Sequence, residues 1–348
     1  MHKLKIIENK KNWNDFVIKS DLDFYSFVSS WEWADFQELS WYKVFRYGIY
    51  KKDTLVWVFM LIKVQAKRWT YFFTPHGPLI KWNYFDILWD ILPELKSIAK
   101  SEWTSFIRLN STTANTKENK QAYKDIGFRD APMHVHAEDT HLLDITPSEE
   151  ELLDKMHKKD RYYINRAIKE AVTVRIDNKD DHIQTLIDFH HNHATRTNWK
   201  NTYSAFSEKY IKNLYKVFDK KNISTISAWL DSIESILMTI RFWDTCVYYV
   251  AASDIKNKKF SPNYLCQWEA IKKAKRDGAK QYNFWWVSPD DNPAHPIAGV
   301  TKFKRKFAGY DHSLLHAQDL VISNKYWFNW IIETLRRKKR WYYYKKPE

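Results

Sequence analysis

The apolar positions in the first part of the chain predict a unit that mixes helices and strands. Two segments alternate or run apolar as strands do, and three repeat their apolar positions at helical spacing. The strands are 44–50 and 55–64, and the helices are 31–39, 85–100 and 117–126. The third helix is predicted to stop at Gly127, since glycine readily adopts the left-handed conformation that ends a helix.

The second part of the chain repeats this plan. Ser148, with Glu151 three residues on, predicts a capped helix start, and a basic helix follows. Residues 224–230, 235–242 and 247–251 read as successive strands, after which 259–309 reads as helix, strand, loop and basic helix. The length also suggests about two domains. We therefore predict domains at 1–145 and 146–318 that are duplicates facing each other, with 319–348 returning to the first.

The stretch 259–309 resembles the FemABX family, the aminoacyltransferases that form peptidoglycan bridges. The order of the motifs is kept at similar spacing: Gln267-Trp268-Glu269-Ala270-Ile271, then Gly278, Asn283-Phe284-Trp285-Trp286, Phe303-Lys304 and Phe307-Ala308-Gly309. The family has Gly-Gly where this chain has Trp285-Trp286. By this resemblance the fold class is α/β (α+β), with two acetyltransferase (GNAT)-like domains. We find no segment for the helical-hairpin arm that some members insert.

Two further segments carry the resemblance. Residues 158–169 are similar to the family pattern Lys-x-Arg-Tyr-x-Ile-Arg-x-Ala, although Asn165 stands at the second arginine and Arg166 follows it. Thr74-Pro75-His76-Gly77-Pro78 is similar to the family's Pro-x-Gly-Pro turn. Helical spacing places Tyr162 near Arg166 on one face, where their donors could contact a phosphate backbone. A solvated basic helix is the alternative for this segment.

The resemblance implies a set of site residues. Lys304 matches the lysine of the family's Phe-Lys motif, where a cation could stabilise charge on an acyl oxygen. Its alternative role is one more lysine on a basic helix, and that of Tyr248 is a core tyrosine. The implied substrate-binding residues are Tyr248, Arg196, Arg161, Arg166 and Lys306. The chain departs from the family pattern at two positions, which weakens the assignment of the family's site residues. Asp35 replaces a lysine that some members use to bind a substrate phosphate, and Asn110 replaces a carboxylate that is frequent in the family.

The implied function is transfer of an amino acid from aminoacyl-tRNA to the side-chain amine of a UDP-linked or lipid-linked muropeptide precursor. No cofactor is expected, because the donor ester is already activated, and we expect a monomer. Two alternatives remain open. One is an acyl-CoA-dependent N-acyltransferase on the same fold, although no Gly-x-Gly pyrophosphate loop is present. The other is a non-enzymatic basic protein that binds RNA or a membrane.

Charge and composition limit which partners and which cellular compartment we expect. The net charge of +14 favours anionic partners, although lysine-rich codon bias would also produce it. The cluster 336–340 followed by aromatic residues suits a phosphate surface or a peripheral membrane contact, or else forms a solvated tail. The two cysteines are too few for a disulfide framework or a zinc site. With no apolar membrane segment or signal peptide evident, we expect a cytoplasmic protein.

The segment His190-His191-Asn192-His193 invites a metal interpretation, but it lacks the Glu between paired His that zinc hydrolases require. A third ligand is not evident in the sequence. We expect these histidines to lie on a helix surface and no metal to bind.

Tryptophan and glycine are present in unusual proportion. The chain has 18 Trp and only 6 Gly, whereas glycine makes up about 7% of an average protein. Several Trp, including Trp69, Trp82, Trp199 and Trp243, stand where loops or turns favour glycine. We hypothesise that many Trp positions are UGA codons that the source organism reads as glycine, and we expect most of these four to be exposed or in turns. The alternative is a chain that is simply rich in tryptophan.

Overall fold

The computed structural model describes residues 2–20, 22, 24–79, 85–196, 206–254 and 258–340. The chain divides into two compact units. Unit 1 comprises Met1–Asp139 and Ser313–Glu348, and unit 2 comprises Thr140–His312. Unit 2 is therefore inserted, in sequence, into unit 1. No helix among the described residues combines the length and the hydropathy needed to cross a membrane.

The elements up to residue 130 belong to unit 1. In chain order they are β1 (His2–Ile6), α1 (Lys10–Lys19), α2 (Trp31–Leu39), β2 (Lys43–Lys51), β3 (Thr54–Gln65), β4 (Thr70–Thr74), α3 (Phe85–Ser101), β5 (Phe106–Leu109), α4 (Lys117–Asp125) and β6 (Phe128–Asp130).

The elements of unit 2 follow, and two more elements of unit 1 end the described chain. Unit 2 contains β7 (Asp139–Asp144), α5 (Glu149–Lys155), α6 (Lys158–Lys169), β8 (Thr173–Ile176), α7 (Asp180–Arg196), α8 (Glu208–Val217), β9 (Ile223–Trp229), β10 (Ile233–Phe242), β11 (Thr245–Ser253), α9 (Pro262–Arg276), β12 (Gln281–Trp286), α10 (Ala298–Lys304) and β13 (Tyr310–Ser313). Unit 1 is completed by β14 (Gln318–Val321) and α11 (Lys325–Arg340).

The two sheets share one spatial arrangement of strands, although the sixth strand comes last in the chain in sheet 1 and first in sheet 2. Sheet 1 has the order β1-β2-β3-β4-β5-β14-β6, and sheet 2, taken from its far edge, has the order β8-β9-β10-β11-β12-β7-β13. Each contains a parallel pair at the same place, β4 with β5 and β11 with β12. The mixed α/β fold and the duplicated plan predicted from the sequence are thus confirmed.

Local sequence explains where several elements begin. Ser30 accepts a hydrogen bond from the Trp33 amide and so begins α2 at the predicted residue. Ser148 and Glu151 form the predicted capping box at the start of α5, with both reciprocal hydrogen bonds present. α9 begins with Pro262 in its first turn, where a missing amide proton costs nothing.

The described part of the basic C-terminal cluster is helical. Residues 336–340 lie within α11, whose inward face includes Tyr326, Asn329 and Glu333. Glu333 and Asp319 both pair with the buried guanidinium of Arg108 in β5. These ion pairs attach the last elements of the chain to the centre of sheet 1.

Helix ends in this chain use the same left-handed motif with different residues. After α9, the amides of Gly278 and Ala279 donate to the carbonyl oxygens of Lys275 and Ala274. Trp41 follows α2 with the same pair of bonds, made by its own amide and that of the next residue, and Trp103 follows α3 in the same way. Their φ angles are 70° and 58°, and their side chains are 85% and 88% exposed. Glycine is the usual residue at this position because it lacks a Cβ.

The tryptophans named from the sequence have mixed outcomes. Trp243 occupies the turn between β10 and β11 with φ 54° and is exposed, as expected. Trp69 lies in the connection from β3 to β4 and is half-buried. Trp82 and Trp199 lie outside the described residues.

Candidate active site

The parallel pair of sheet 2 forms the floor of the candidate site. β11 and β12 are in register over only three residue pairs, from Thr245 with Gln281 to Val247 with Asn283. Beyond this point β11 continues through Tyr248, which packs with the core that includes α9, and Tyr249, which contacts α8 on the other face of the sheet. The register of β10 with β11 shifts at Tyr249, so the side chains do not simply alternate there. Tyr248 packs against Phe284 of β12, and burial raises the pKa of its hydroxyl.

Lys304 ends α10 with its ammonium turned into the protein. The side chain is only 6% exposed, and Nζ donates a hydrogen bond to the carbonyl oxygen of Trp286, 2.7 Å away. Nζ also lies 5.6 Å from the centre of the Tyr248 ring. Burial lowers the pKa of Lys304 to about 7. A buried lysine with such a pKa next to a strand end is typical of a functional site rather than of a solvated helix.

Two phenylalanines fix the orientation of Lys304. Phe303 packs edge-on against Tyr264 of α9, with ring centres 5.3 Å apart, and Phe307 stacks on Phe284 at 5.7 Å. With both of its aromatic neighbours packed inward, Lys304 is turned sideways toward the end of β12.

A buried amide supports the backbone at the end of β12. Asn283 is fully buried, and its Oδ1 accepts from the amide of Trp285 at 2.7 Å and from the Thr140 hydroxyl at 2.5 Å. Among the described residues its Nδ2 has no hydrogen-bond partner. Trp285 itself has φ 61°, and the register with β7 is irregular at this point. An amide donor in this position can bind a carbonyl or carboxylate oxygen.

The aromatic group on the opposite side of β11 was not found from the sequence. Tyr249 donates or accepts a hydrogen bond with Tyr210 of α8 at 2.6 Å, and Phe206 stacks on both rings. The Trp285 ring meets Tyr249 edge-on at 6.1 Å. Only the pairing of distant strands brings these residues together, so no local pattern signals them.

The predicted residues of α6 make internal contacts. Arg161 pairs with Asp154 of α5 at 2.5 Å. Arg166 reaches the Tyr162 hydroxyl at 3.4 Å, the predicted neighbour one turn away. Both arginines are partly exposed and retain donors for a further contact.

Lys306 lies between α6 and α9. Its Nζ contacts Asp160 at 3.2 Å and the Tyr264 hydroxyl. Burial acts to lower the pKa of Lys306, but Tyr264 and Asp160 raise it overall. The structure therefore brings Lys304, Tyr248 and Lys306 to one aromatic cluster through Tyr264, Phe303 and Phe307. Arg196 ends α7, and its side chain lies outside the described part of the chain.

The histidines of α7 are not all on a helix surface, contrary to expectation. His190 is buried and stacks on Phe206, whose amide donates to His190 Nε2 at 3.2 Å. His191 contacts the Phe206 carbonyl oxygen at 2.8 Å. These rings hold Phe206 against Tyr210 and Tyr249, which gives them a packing role.

Unit 1 contains a buried polar cluster that the sequence did not reveal. His134, Glu138 and His316 offer ligand atoms that all lie within 4.8 Å of one another, a spacing that a metal ion could use. Their mutual hydrogen bonds account for the spacing: His316 contacts Glu138 Oε2 and the Ala131 carbonyl oxygen, each at 2.8 Å. Because both of these partners are acceptors, the ring donates from both nitrogens. We therefore assign the cluster to a buried ion-pair network.

The carboxylate of Glu138 lies next to Asn110, one of the two positions at which the chain departs from the family pattern. Asn110 donates to Glu138 Oε1 at 3.3 Å, so a carboxylate does lie beside Asn110, although another residue supplies it. Burial alone would raise the pKa of Glu138, but the charges of His316 and His134 and their hydrogen bonds hold it well below its usual range. The other departure, Asp35, pairs with Arg46 at 2.5 Å.

Comparison with known proteins agrees with this architecture. The FemAB family model matches residues 9–234 and 231–333, which is most of the chain. The chain belongs to the FemAB family. The aminoacyltransferase FemA of Staphylococcus epidermidis is 33% identical over 96 residues, which are 27% of this chain and 22% of that relative. The chain thus matches only about a fifth of the length of this curated relative.

Two solved structures show how far the fold extends. The crystal structure of FemX is similar over 95% of this chain and 100% of that one, with a TM-score of 0.81 and 16% identity. A tandem GNAT protein from the clavulanic acid biosynthesis pathway is similar over 93% of this chain and 99% of its own, with a TM-score of 0.54 and 8% identity. The expected tandem GNAT-like fold of the FemAB family is therefore confirmed.

Proposed function

We propose that this protein is an aminoacyltransferase that adds an amino acid from aminoacyl-tRNA to the side-chain amine of a peptidoglycan precursor peptide. The observation that carries the proposal is the buried ammonium of Lys304 at the end of β12, beside Tyr248, within a FemAB-family fold. The relative FemA, which is named as an aminoacyltransferase, supports the same class of reaction.

The chemistry needs little beyond positioning and a cation. The precursor amine, after losing a proton to solvent, attacks the ester carbonyl, and a C–N bond forms. The C–O bond to the tRNA ribose then breaks, and the ribose hydroxyl takes up a proton. Lys304 stabilises the negative oxygen of the tetrahedral intermediate while its hydrogen bond to the Trp286 carbonyl keeps Nζ in place. The ester is activated before it binds, so no cofactor enters the reaction.

The charge of the chain suits these substrates. Arg161, Arg166 and Lys306 carry donors that a tRNA or UDP phosphate accepts, and the net charge of +14 favours encounter with such polyanions. We place the reaction in the cytoplasm and assign it to a monomer, because both proposed substrates are made there and all the proposed residues come from one unit.

We also propose that α11 rests on an anionic membrane surface. Phe328, Ile331 and Leu335 are exposed apolar residues at helical spacing, so they form one outward stripe. Arg336 and Arg337 follow in the last turns. An apolar stripe beside basic residues is the pattern of helices that lie in a membrane interface. Such a contact would bring the enzyme to a lipid-linked precursor.

The test of the proposed reaction uses the full-length protein purified from its source organism, with tRNA charged with each amino acid in turn. UDP-linked and lipid-linked muropeptides serve as acceptors, and mass spectrometry reads the product. We expect one acceptor to gain the mass of one aminoacyl residue only when charged tRNA is present. Failure with every charged tRNA and both acceptors would overturn the proposal. Acetyl transfer from acetyl-CoA to an amine in its place would establish the acyl-CoA alternative.

A further inference from the structure

Four tryptophans hold backbone conformations that belong to glycine. Nine non-glycine residues of the described chain have positive φ, and four of them are Trp41, Trp103, Trp243 and Trp285. A Cβ crowds the following carbonyl in this region, so tryptophan is strained there while glycine is not. The same chain uses Gly278 in the helix-ending motif in which Trp41 and Trp103 stand.

The surroundings of the four positions separate them into two kinds. Trp41, Trp103 and Trp243 are exposed, and a large exposed indole in a turn contributes little packing to offset its strain. Trp285 is buried, and its ring meets the ring of Tyr249 edge-on, with the ring centres 6.1 Å apart. Replacement of this indole by hydrogen would vacate buried space next to Asn283 and the carbonyl that holds Lys304.

We infer that the functional protein carries glycine at 41, 103, 243 and 285, and that the space occupied here by the Trp285 indole is a binding pocket. The pocket takes a small group with a carbonyl oxygen, such as the aminoacyl unit of the donor. Asn283 Nδ2, which is buried and has no partner among the described residues, supplies the donor for that oxygen. Tyr249 forms the wall. The identity of this ligand rests on the proposed function, whereas the glycine assignment does not.

The glycine assignment is tested on the gene and on the natural protein. We expect UGA codons at the four positions, and mass spectrometry of the protein isolated from its source should find glycine in each of the four peptides. UGG codons at these positions, or peptides that contain tryptophan there, would overturn the assignment.

The pocket is tested with recombinant full-length chains and a non-reactive aminoacyl-adenosine amide, whose binding is measured by calorimetry. We expect Trp285→Gly to bind the analogue at least tenfold more tightly than the unchanged chain. Trp103→Gly is the matched control, since it relieves the same strain without vacating buried space. Circular dichroism verifies that each variant is folded.

The outcomes separate the pocket from the proposed function. Equal affinity of the Trp285→Gly and Trp103→Gly variants would refute the pocket. Tight binding by Trp285→Gly without any aminoacyl product would sustain the pocket and refute the proposed reaction. Formation of the aminoacyl product, together with equal affinity of the two variants for the analogue, would refute the pocket and support the proposed reaction.

Discussion

The ammonium of Lys304 is bound by the carbonyl oxygen of Trp286, 2.7 Å away, at the end of a strand that has just parted from its parallel neighbour. This bond fixes a positive charge at a defined point without neutralising it, because a carbonyl oxygen has no formal charge. Burial lowers the pKa of Lys304. The group is therefore ready to respond to a negative charge that develops during a reaction.

Replacement of Lys304 by methionine is expected to lower kcat by about 100-fold with little change in KM. The long apolar stem is kept, and only the cation that stabilises the transition state is lost. Lys302→Met is the control, since Lys302 is exposed on the same helix. Steady-state kinetics with charged tRNA and the precursor measure both variants. Equal loss in the two, or a loss confined to KM, would remove Lys304 from the chemical step.

The pH dependence of that difference follows from the pKa of about 7. Below this pH Lys304 is charged and supports the reaction, and above it the amine is neutral and does not. We expect the ratio of kcat between the unchanged chain and Lys304→Met to fall as pH rises from 6 to 9. The ratio cancels the titration of the substrate amine, which is common to both. A ratio that rises with pH would identify neutral Lys304 as a general base.

The free energy of unfolding should increase with pH because of Lys304, whereas its contribution to kcat should decrease with pH. The folded pKa of about 7 lies below the ordinary value of 10.5, so between these pH values the unfolded chain binds more protons. The free energy of unfolding therefore rises with pH across this window, by at most about 1.4 kcal/mol per pH unit from this residue. Urea unfolding at several pH values measures the slope. The Lys304→Met variant should lack this contribution, and an unchanged slope in the variant would contradict the burial of the charge.

One substitution type should have opposite effects at two exposed tryptophans. Trp103→Gly removes a Cβ from a left-handed residue and is expected to stabilise the protein by about 1 kcal/mol. Trp89→Gly, on an exposed face within α3, is expected to destabilise it by about 0.5 kcal/mol, because glycine is a poor helix former. Chemical denaturation compares the two. Destabilisation by both would show that Trp103 is not strained.

Removal of the buried guanidinium of Arg108 should be far more costly than removal of a surface charge. Arg108→Met leaves Asp319 and Glu333 unpaired in the interior, and the expected loss is about 3–5 kcal/mol. Lys120→Met, which breaks a half-exposed pair with Asp130, should cost about 1 kcal/mol or less. Thermal unfolding separates these values. Similar costs for both would mean that the α11 anchor contributes little.

Binding of α11 to membranes is tested by flotation with phosphatidylglycerol vesicles, with phosphatidylcholine vesicles as the neutral comparison. Phe328→Ser should weaken binding roughly tenfold, because it removes about 1.5 kcal/mol or more of apolar burial. Leu39→Ser removes an exposed apolar side chain from α2 and should leave binding unchanged. Two results would show that α11 is not the membrane contact: unchanged binding in both variants, or equal binding of the protein to neutral and anionic vesicles.

The sequence predicted the elements whose signals are local. α2 and α5 have side-chain caps, and β3 and β10 are long apolar runs, so each was found close to its observed bounds. β6, β13 and β14 are only three or four residues long and become strands through pairing with distant partners, which no local window contains. α11 was missed because its basic residues suggested a tail, whereas buried pairing with Arg108 holds it in place.

The candidate site also contains residues with a local sequence signal and residues without one. Lys304 and Tyr248 were proposed as site residues through a motif resemblance, because their residue types and spacing persist in the sequence. The burial of Lys304, the support from Asn283 and the group formed by Tyr249 and Tyr210 depend on which strands lie side by side. Residues 283 and 249 come close only in the folded sheet, so spacing along the chain could not assign them.

The position of β14 sets an order for the synthesis of sheet 1. Six of its strands have been synthesised by residue 130, but the strand that lies between β5 and β6 follows the whole of unit 2. At ordinary rates of translation, β5 stays an open edge for roughly ten seconds or more. During that time the nascent Arg108 lacks both of its carboxylate partners. An open strand edge invites pairing with other chains, so the speed at which residues 140–312 are translated governs how much of the newly made protein escapes aggregation.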